Sequence, residues 1–421
     1  MFKFIHTADI HLDSPLTGLD RHANAPKAEL RGATGRALQR LVQLALEEKV
    51  AFVVVAGDLF DGDWKDYRTG LFFVEQMARL TSAGIRVLIV HGNHDAGDTI
   101  SRSLPYPDLV KVFGTDEVET HRLEDLQVAV HGWSYPNRDM TCDVTPRFPP
   151  PIAGWYNLGL LHTCATRVNE GHDPYAPCKL ESLVNRGYQY WALGHIHKRA
   201  TLWEDPYVVF PGNLQGRNAR ETGEKGCYLV TVVDGRTALL EFRATDVVRW
   251  ESCLVDAGPA ESIDELLDQA GESLRALKLR ADGRGLAVRV RVRVQEELGR
   301  RVLCDPRDFA FKMQAKATAV APGSMWIEKV EIDRISDPKR EGTILSAGAL
   351  ADLRTVLAEL RTDPKLVDKL GPELEPLDRK IPPELRSRGS IRLRDPEWLR
   401  TLLDDVEAIT HEKLLGGSDR E

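Results

Sequence analysis

Within its first 200 residues the chain five times ends a short apolar run in a tight group of Asp, Asn, His and Gly. The runs are Phe2–Ala8 before Asp9-Ile10-His11, Ala51–Ala56 before Gly57-Asp58-Leu59-Phe60-Asp61, and Ile85–Val90 before Gly92-Asn93-His94-Asp95. The last two are Asn157–Leu161 before His162, and Tyr190–Leu193 before Gly194-His195-Ile196-His197. Runs this short, closed by polar residues, read as buried strands, and residues 36–49 and Leu71–Leu80 have helical periodicity between them. Alternating strands and helices imply an α/β fold, in which ligands gather beyond the carboxyl ends of the strands. All five polar groups take that position. In the last of them, His195 and His197 are two residues apart, so in extended backbone both rings point to one side.

Size and composition permit such a fold. At 421 residues, 42% hydrophobic and 29% charged, the chain is long enough for two or three domains with cores of their own. No apolar run reaches bilayer-spanning length and Met1–His11 reads as a strand, not a signal peptide, so the expected location is cytoplasmic. Cysteines at 142, 164, 178, 227, 253 and 304 form no CxxC pair and read as reduced packing residues. The net charge of -8, from 56 basic and 64 acidic residues, excludes a uniformly basic nucleic-acid coat but allows a local basic face.

The chemistry of the five groups is more specific than their position. Two Asp, one Asn and several His, without Cys, are oxygen and nitrogen donors suited to a pair of divalent ions such as Mn, Fe or Zn, not to a thiolate-bound structural zinc. Two such ions bring +4 against -2 from Asp9 and Asp58, which leaves a positive site for a phosphodiester. Paired ions can bind one phosphate, activate water and stabilise the leaving oxygen, so phosphate-ester hydrolysis follows. Taken singly, Asp9 or His11 is as readily a cap or turn residue. His6, His91, His121 and His131 read as structural histidines, and Asp13 and Asp63 as turn residues.

In this order, DxH, GDLFD, GNHD, a lone His and GHxH resemble the calcineurin-like metallophosphoesterases. TADIHLDSPLTGL, YAPC at 175–178, YWALGHIH and PGNLQGRNARETGEKG are similar to the SbcD and Mre-eleven class of DNA repair nucleases, nearest its YhaO-like branch. The resemblance is firm over residues 1–245 and looser beyond. It implies an α/β fold: a two-sheet sandwich flanked by helices, followed by a small α+β capping domain and a helical C-terminal tail. It implies one metal on Asp9, His11, Asp58 and His197, and another on Asp58, Asn93, His162 and His195. The ions are expected to be Mn, with Fe, Mg or Zn as alternatives. His94 corresponds to the catalytic histidine that contacts the phosphate and protonates the leaving oxygen, Asp95 would orient it, and Asp61 would stand behind the ligands or beside the substrate. The implied activity is a dimetal DNA nuclease, a 3′ to 5′ exonuclease on duplex ends and an endonuclease on single strands, in repair or defence. The implied partners are DNA, a second copy of the chain and an SMC-like coiled-coil ATPase of the SbcC or YhaN type. A non-catalytic DNA-binding subunit and a phosphodiesterase for small nucleotides stay open as alternatives.

Beyond the last group, Tyr207–Pro211 and Cys227–Val233 read as strands around a Gly- and Arg-rich loop. There Asn213, Gln215, Arg217 and Arg220 offer donors for phosphate oxygens. His172 and Tyr175 either line the cleft or belong to a solvated loop. Residues 1–245 are expected to form the nuclease domain and 246–338 an α+β capping domain. In the latter, Leu286–Val294 alternates Val288, Val290, Val292 and Val294 with Arg289, Arg291 and Arg293. The arginine stripe suits either a phosphate backbone or a solvated face. Residues 339–421 are expected to be a linker and helices for the ATPase. Leu350, Leu353, Leu357 and Leu360 recur at helical spacing, as do Trp398, Leu402, Val406 and Ile409, with proline and charge dominating 362–396. Asp395 is the expected N-cap before Pro396, with Gly416-Gly417 closing the helix. These stripes fit either a partner or the chain's own core.

Overall fold

A computed structural model of the chain describes residues 1–14, 16, 32–61, 67–96, 104–138, 140, 142–165, 177–335, 349–363, 365, 370, 373–375, 393 and 395–415. Asp63, His172, Tyr175 and most of the proline-rich stretch 362–396 lie outside the described residues. The chain divides into two compact units, Met1–Cys253 with Ala276–Arg289 and Val320–Glu328, and Leu254–Arg275 with Val290–Ala319 and Lys329–Glu421.

The first unit begins with β1 (Phe2–Thr7), α1 (Ala33–Glu47), β2 (Phe52–Ala56), α2 (Tyr67–Ser82), β3 (Arg86–Val90) and the single turn α3 (Asn93–Ala96). It continues through β4 (Val110–Val112), β5 (Glu119–Leu123), β6 (Val128–Trp133), β7 (Tyr156–His162), α4 (Leu180–Val184) and β8 (Tyr190–Gly194). Next come β9 (Ala200–Glu204), β10 (Tyr207–Phe210), β11 (Gly226–Val233) and β12 (Arg236–Ala244). They build two six-stranded sheets, ordered β12-β11-β1-β2-β3-β4 and β5-β6-β7-β8-β10-β9. Strands β1 to β4 run parallel in the first, as do β6, β7, β8 and β10 in the second. The expected α/β sandwich is therefore the fold.

Buried runs such as FVVVA of β2 are apolar throughout because both faces of these sheets are covered. Phe52, Val54 and Ala56 enter the core between the sheets with Phe4, Leu88, Leu158, Leu160, Tyr190 and Ala192. The alternate residues Val53 and Val55 pack with Ile5, Val87 and Ile89 against Leu38, Leu41 and Val42 of α1 and Phe73 and Met77 of α2. On the far face of the second sheet, Trp191 and Leu193 pack with Trp133, Phe148 and Leu183. Parallel strands in each sheet bring their carboxyl ends to one edge, where the five polar groups lie.

Three further strands, β13 (Val248–Ala257), β14 (Gly285–Gln295) and β15 (Met325–Ile335), form a sheet ordered β13-β14-β15, and each passes from the first unit into the second. The helices here are α5 (Ile263–Arg280), α6 (Glu296–Cys304), α7 (Pro306–Val320), α8 (Ala349–Thr362) and α9 (Pro396–Leu415). On β14 Val288, Val290, Val292 and Val294 are fully buried, as the alternation predicts. Asp395 caps α9 through the N–H groups of Glu397 and Trp398. The stripe expected on α9 is one position out of phase: Leu399 and Leu403 are buried with Leu357 of α8, while Trp398 and Leu402 are only half-buried and Val406 is exposed. Helix α9 thus packs on the chain's own α8.

Candidate metal centre

Tight turns after the strands set the site. Asp9 and His11 follow β1, Asp58 and Asp61 follow β2, and Asn93 and His94 open α3 after β3, so the first sheet supplies these six. His162 ends β7, and His195 and His197 follow β8, so the second sheet supplies three more. Among the described residues, Asp9, His11, Asp58 and His195 have positive φ, at 50°, 44°, 53° and 107°, a conformation that side chains adopt at a cost and that gathers at functional sites. The motif glycines have a steric cause. A Cβ at Gly92 would strike the Asp58 carboxylate and the His162 ring, one at Gly57 the same ring, and one at Gly194 the carbonyl of Ala56. Glycine lets the backbones of the two sheets approach until their candidate ligands meet.

The donor atoms fall into three groups whose members lie within 4.8 Å of one another: Asp9, His11 and His197; Asp58, His162 and His195; and His11, Asp58 and His94. Within these groups, His11 Nε2 faces His197 Nε2 at 3.1 Å, and Asp58 Oδ2 is 3.4 Å from His162 Nε2 and 3.8 Å from His11 Nε2. Asp9 also ties the sheets together, its two carboxylate oxygens accepting the N–H of His195 at 3.0 and 3.1 Å.

The protonation pattern tests whether these residues suit a cation. His162 Nδ1 donates to the Ala56 carbonyl at 2.9 Å, which leaves a lone pair on Nε2. That lone pair faces Asn93 Oδ1 at 3.0 Å and the Asp58 carboxylate, so acceptors converge without a proton between them. His197 repeats the arrangement. Its Nδ1 donates to Glu221 Oε1 at 2.8 Å, and the Nε2 lone pair turns to His11. Burial pushes Asp58 up to about 7 and Asp9 upward too, and it lowers His162 to about 4. A pocket that discourages both carboxylate charge and imidazolium, while pointing lone pairs inward, fits divalent cations, which supply positive charge without occupying the donors with protons. The residues present fit the two ions.

Around the ligands, Asp61 Oδ1 is 3.3 Å from His11 Nδ1, 3.6 Å from His94 Nδ1 and 3.2 Å from Arg217 Nη1. Asp61 therefore presents a carboxylate to the His94 ring. Asp95, expected to orient His94, accepts the backbone N–H groups of Leu59, Phe60 and Gly92 and so holds the GDLFD and GNHD turns together. His94 itself is anchored by its N–H to Asp58 Oδ1 at 3.0 Å.

The loop residues divide. Arg217 reaches the centre, with Nη2 3.2 Å from His197 Nδ1 and 3.5 Å from Glu221. Asn213 and Gln215, expected to face the phosphate, are buried and brace the loop: Asn213 donates to the Gln215 carbonyl and to Glu221, and Gln215 accepts from Val247 and Val248. Arg220 is exposed. On β14, Arg289 pairs with Glu328 at 2.8 Å and Arg291 with Glu331 at 3.1 Å, and Arg293 is exposed. Glu221 escaped the sequence reading because it matches no ligand motif. Burial raises its pKa, but the hydrogen bond from His197 and the charge of Arg217 outweigh this and hold it well below the usual carboxylate range. His6 and His131 are structural: His6 bonds Tyr190 and Leu193, and His131 bonds Thr120 and Asn157.

Comparison with known proteins bears on this centre directly. Residues 2–199 match the calcineurin-like phosphoesterase family, and residues 250–334 match the middle domain of the metallophosphoesterase YhaO. The metallophosphoesterase YhaO of Bacillus subtilis is 36% identical over 68% of this chain and 70% of its own length. A DNA double-strand break repair protein Mre11, from Aeropyrum pernix, is 38% identical over 57% of this chain and 60% of its own length. Among solved structures, a dimetal phosphatase from Danio rerio is 14% identical, covering 58% of this chain and 96% of its own, at a TM-score of 0.38. With the metal-type donor set on the sandwich edge, the family match and the likeness to YhaO make the chain a member of the calcineurin-like metallophosphoesterases, related to YhaO and more distantly to the Mre11 proteins.

Proposed function

We propose that the chain is a dimetal-dependent DNA nuclease, cutting from 3′ ends of duplexes and within single strands. In this reading Asp9, His11, Asp58 and His197 hold one ion, Asp58, Asn93, His162 and His195 hold the other, and Mn is the ion expected. When bound, the ions supply Lewis acidity and a deprotonated water for phosphodiester hydrolysis. One observation carries the reading: His94 is 38% exposed at its side chain, whereas His11 and His162 beside it are fully buried. It stands at the mouth of the ligand cluster, where it meets the phosphate and passes a proton to the leaving oxygen. Asp61 steadies its Nδ1, and Arg217, also at Asp61, contributes positive charge on the substrate side.

DNA as substrate is supported by the likeness to proteins named for double-strand break repair. The reading extends to a second copy of the chain and to an SMC-like ATPase. For the ATPase, the α8–α9 pair offers exposed Val356 and Val406 as apolar surface. Among the described residues no helix is long and apolar enough to cross a membrane.

End-labelled single- and double-stranded DNA, incubated with Mn, Mg or Zn beside a small nucleotide phosphodiester, tests the proposal. Wild type should cleave DNA, and His94→Ala should keep its metals and lose cleavage. Hydrolysis of the small ester alone would replace the nuclease reading with a nucleotide phosphodiesterase. Metal binding without any hydrolysis would leave a DNA-binding subunit.

A further inference from the structure

Outside the metal centre, the first unit carries a cavity of about 530 Å³ whose lining includes Arg36, Gln39, Arg40 and Gln43 of α1, Arg79 of α2 and Trp326 of β15. Among the described residues no Asp or Glu lines it, although acidic residues outnumber basic ones in the chain. From this trough we infer a binding site for the phosphate backbone of a nucleic-acid strand, distinct from the metal ligands and serving the strand whose scissile bond lies among them.

Three observations support it. First, the nearest buried carboxylate is already engaged: Asp246 is held by Arg249 at 2.8 Å and Arg284 at 2.9 Å, and Arg40 reaches only its backbone carbonyl. Arg79 donates to the neutral Gln76, and Arg40 feels the Asp246 and Asp282 carboxylates as charges while hydrogen-bonding the Asp246 carbonyl. Burial first and then the neighbouring Arg284 lower the Arg40 pKa, against the charges of Asp246 and Asp282, which raise it.

Second, the donors are spaced for a chain of anions. Arg36, Arg40 and Gln43 recur at four and three residues on one face of α1, so they span about 10 Å along the helix. Arginine and glutamine both donate to phosphate oxygens, contacts that position a strand without carrying sequence information.

Third, the helix that carries these donors is tied at its first turn to the chain just beyond the candidate ligands. Thr34, in the first turn of α1, accepts the N–H of Asp13 at 3.2 Å, and Asp13 lies two residues beyond the candidate ligand His11. Arg36 follows Thr34 two residues later, and Arg40 and Gln43 lie farther along the same helix.

The inference rests on the nuclease reading, and the test separates the two. Metal-loaded full-length protein is titrated with a labelled phosphorothioate oligonucleotide at several salt concentrations, and hydrolysis of bis(p-nitrophenyl) phosphate is measured in parallel. Arg40→Gln with Arg79→Gln should weaken strand binding and flatten the log-log salt dependence by about 1.4, since each lost contact to a single strand removes about 0.7. Turnover of the small ester should keep its kcat and KM. Gln39→Glu with Gln43→Glu, which keeps every arginine, should also weaken binding. Unchanged affinity and slope in both double variants overturns the site, as does loss of small-ester turnover in the arginine variant. Wild type that binds strands with this trough-dependent slope but cleaves none retires the nuclease reading and leaves the trough standing.

Discussion

Glu221 shows how a single carboxylate outside the motifs shapes the metal centre. It binds His197 Nδ1 and thereby fixes which ring nitrogen keeps the lone pair. Glu221→Gln keeps the size and one acceptor but loses the charge, and outer partners of this kind change metal affinity by about 10- to 100-fold. Titrating the metal-free variant with Mn by calorimetry should show a loss in that range, and wild-type affinity would reduce Glu221 to a loop brace. His6 makes the complementary case for a buried histidine without metal duty. As a neutral ring it donates from Nε2 to the Leu193 carbonyl and accepts from the Tyr190 hydroxyl, and burial lowers its pKa to about 3 from 6.5. The unfolded chain takes up a proton near pH 6.5 that the folded chain refuses. The His6 contribution is therefore complete above that pH and is lost as pH falls toward about 3, at a limiting slope of about 1.4 kcal/mol per unit. Urea unfolding at pH 7, 6 and 5 should show a shallower acid loss in His6→Gln, and equal slopes in the two proteins would contradict the assignment.

At the level of elements, sequence carried most where one periodicity had one solution. Runs such as FVVVA and YWALG have both faces buried, so no register of the strand leaves them ambiguous, and the polar residues after them had to lie at the sheet edge. The valines of β14 were legible for the same reason. Two features were hidden. Asn213 and Gln215 look like phosphate donors in sequence, but whether an amide faces solvent or braces its own loop depends on partners such as Val247 and Val248, which sequence does not bring near. Helix α9 contains the adjacent pairs Trp398-Leu399 and Leu402-Leu403, so two stripes were equally apolar and only the position of α8 selects between them. The selected stripe predicts an asymmetry. Leu403→Ala should cost about 2–5 kcal/mol in the stability of the unit that holds α9, as large-to-small changes in cores do. Val406→Ala, at an exposed position, should stay within about 0.5 kcal/mol. Chemical unfolding followed through Trp398 fluorescence distinguishes the two, and equal effects would mean that α9 does not rest on α8 through Leu399 and Leu403.

Across the whole first unit, the metal centre is also the place where the two sheets are bound to one another. Asp9, His11, Asp58 and Asn93 come from one sheet, and His162, His195 and His197 from the other. The direct links between them at this edge include the Asp9 hydrogen bonds to the His195 N–H and the His162 Nδ1 bond to the Ala56 carbonyl, whereas Asn93 Oδ1 and the Asp58 carboxylate oppose the His162 Nε2 lone pair. Without cations the edge therefore carries buried carboxylates and inward lone pairs, which destabilise the sandwich where it is most polar. Cations that bind only the folded ligand set must stabilise it, by about 2.7 kcal/mol per independent site at a hundredfold excess over the dissociation constant. Thermal unfolding should then rise in steps as Mn is added to chelator-treated protein and fall again with chelator. Asp58→Asn should abolish most of the rise, because Asp58 lies in two of the three donor groups. His94→Ala should retain it, since the proposed role of that ring is toward the phosphate and not the ions. A melting temperature indifferent to Mn in wild type, or equally responsive in Asp58→Asn, would remove the metals from the junction of the sheets and with them the ligand assignment.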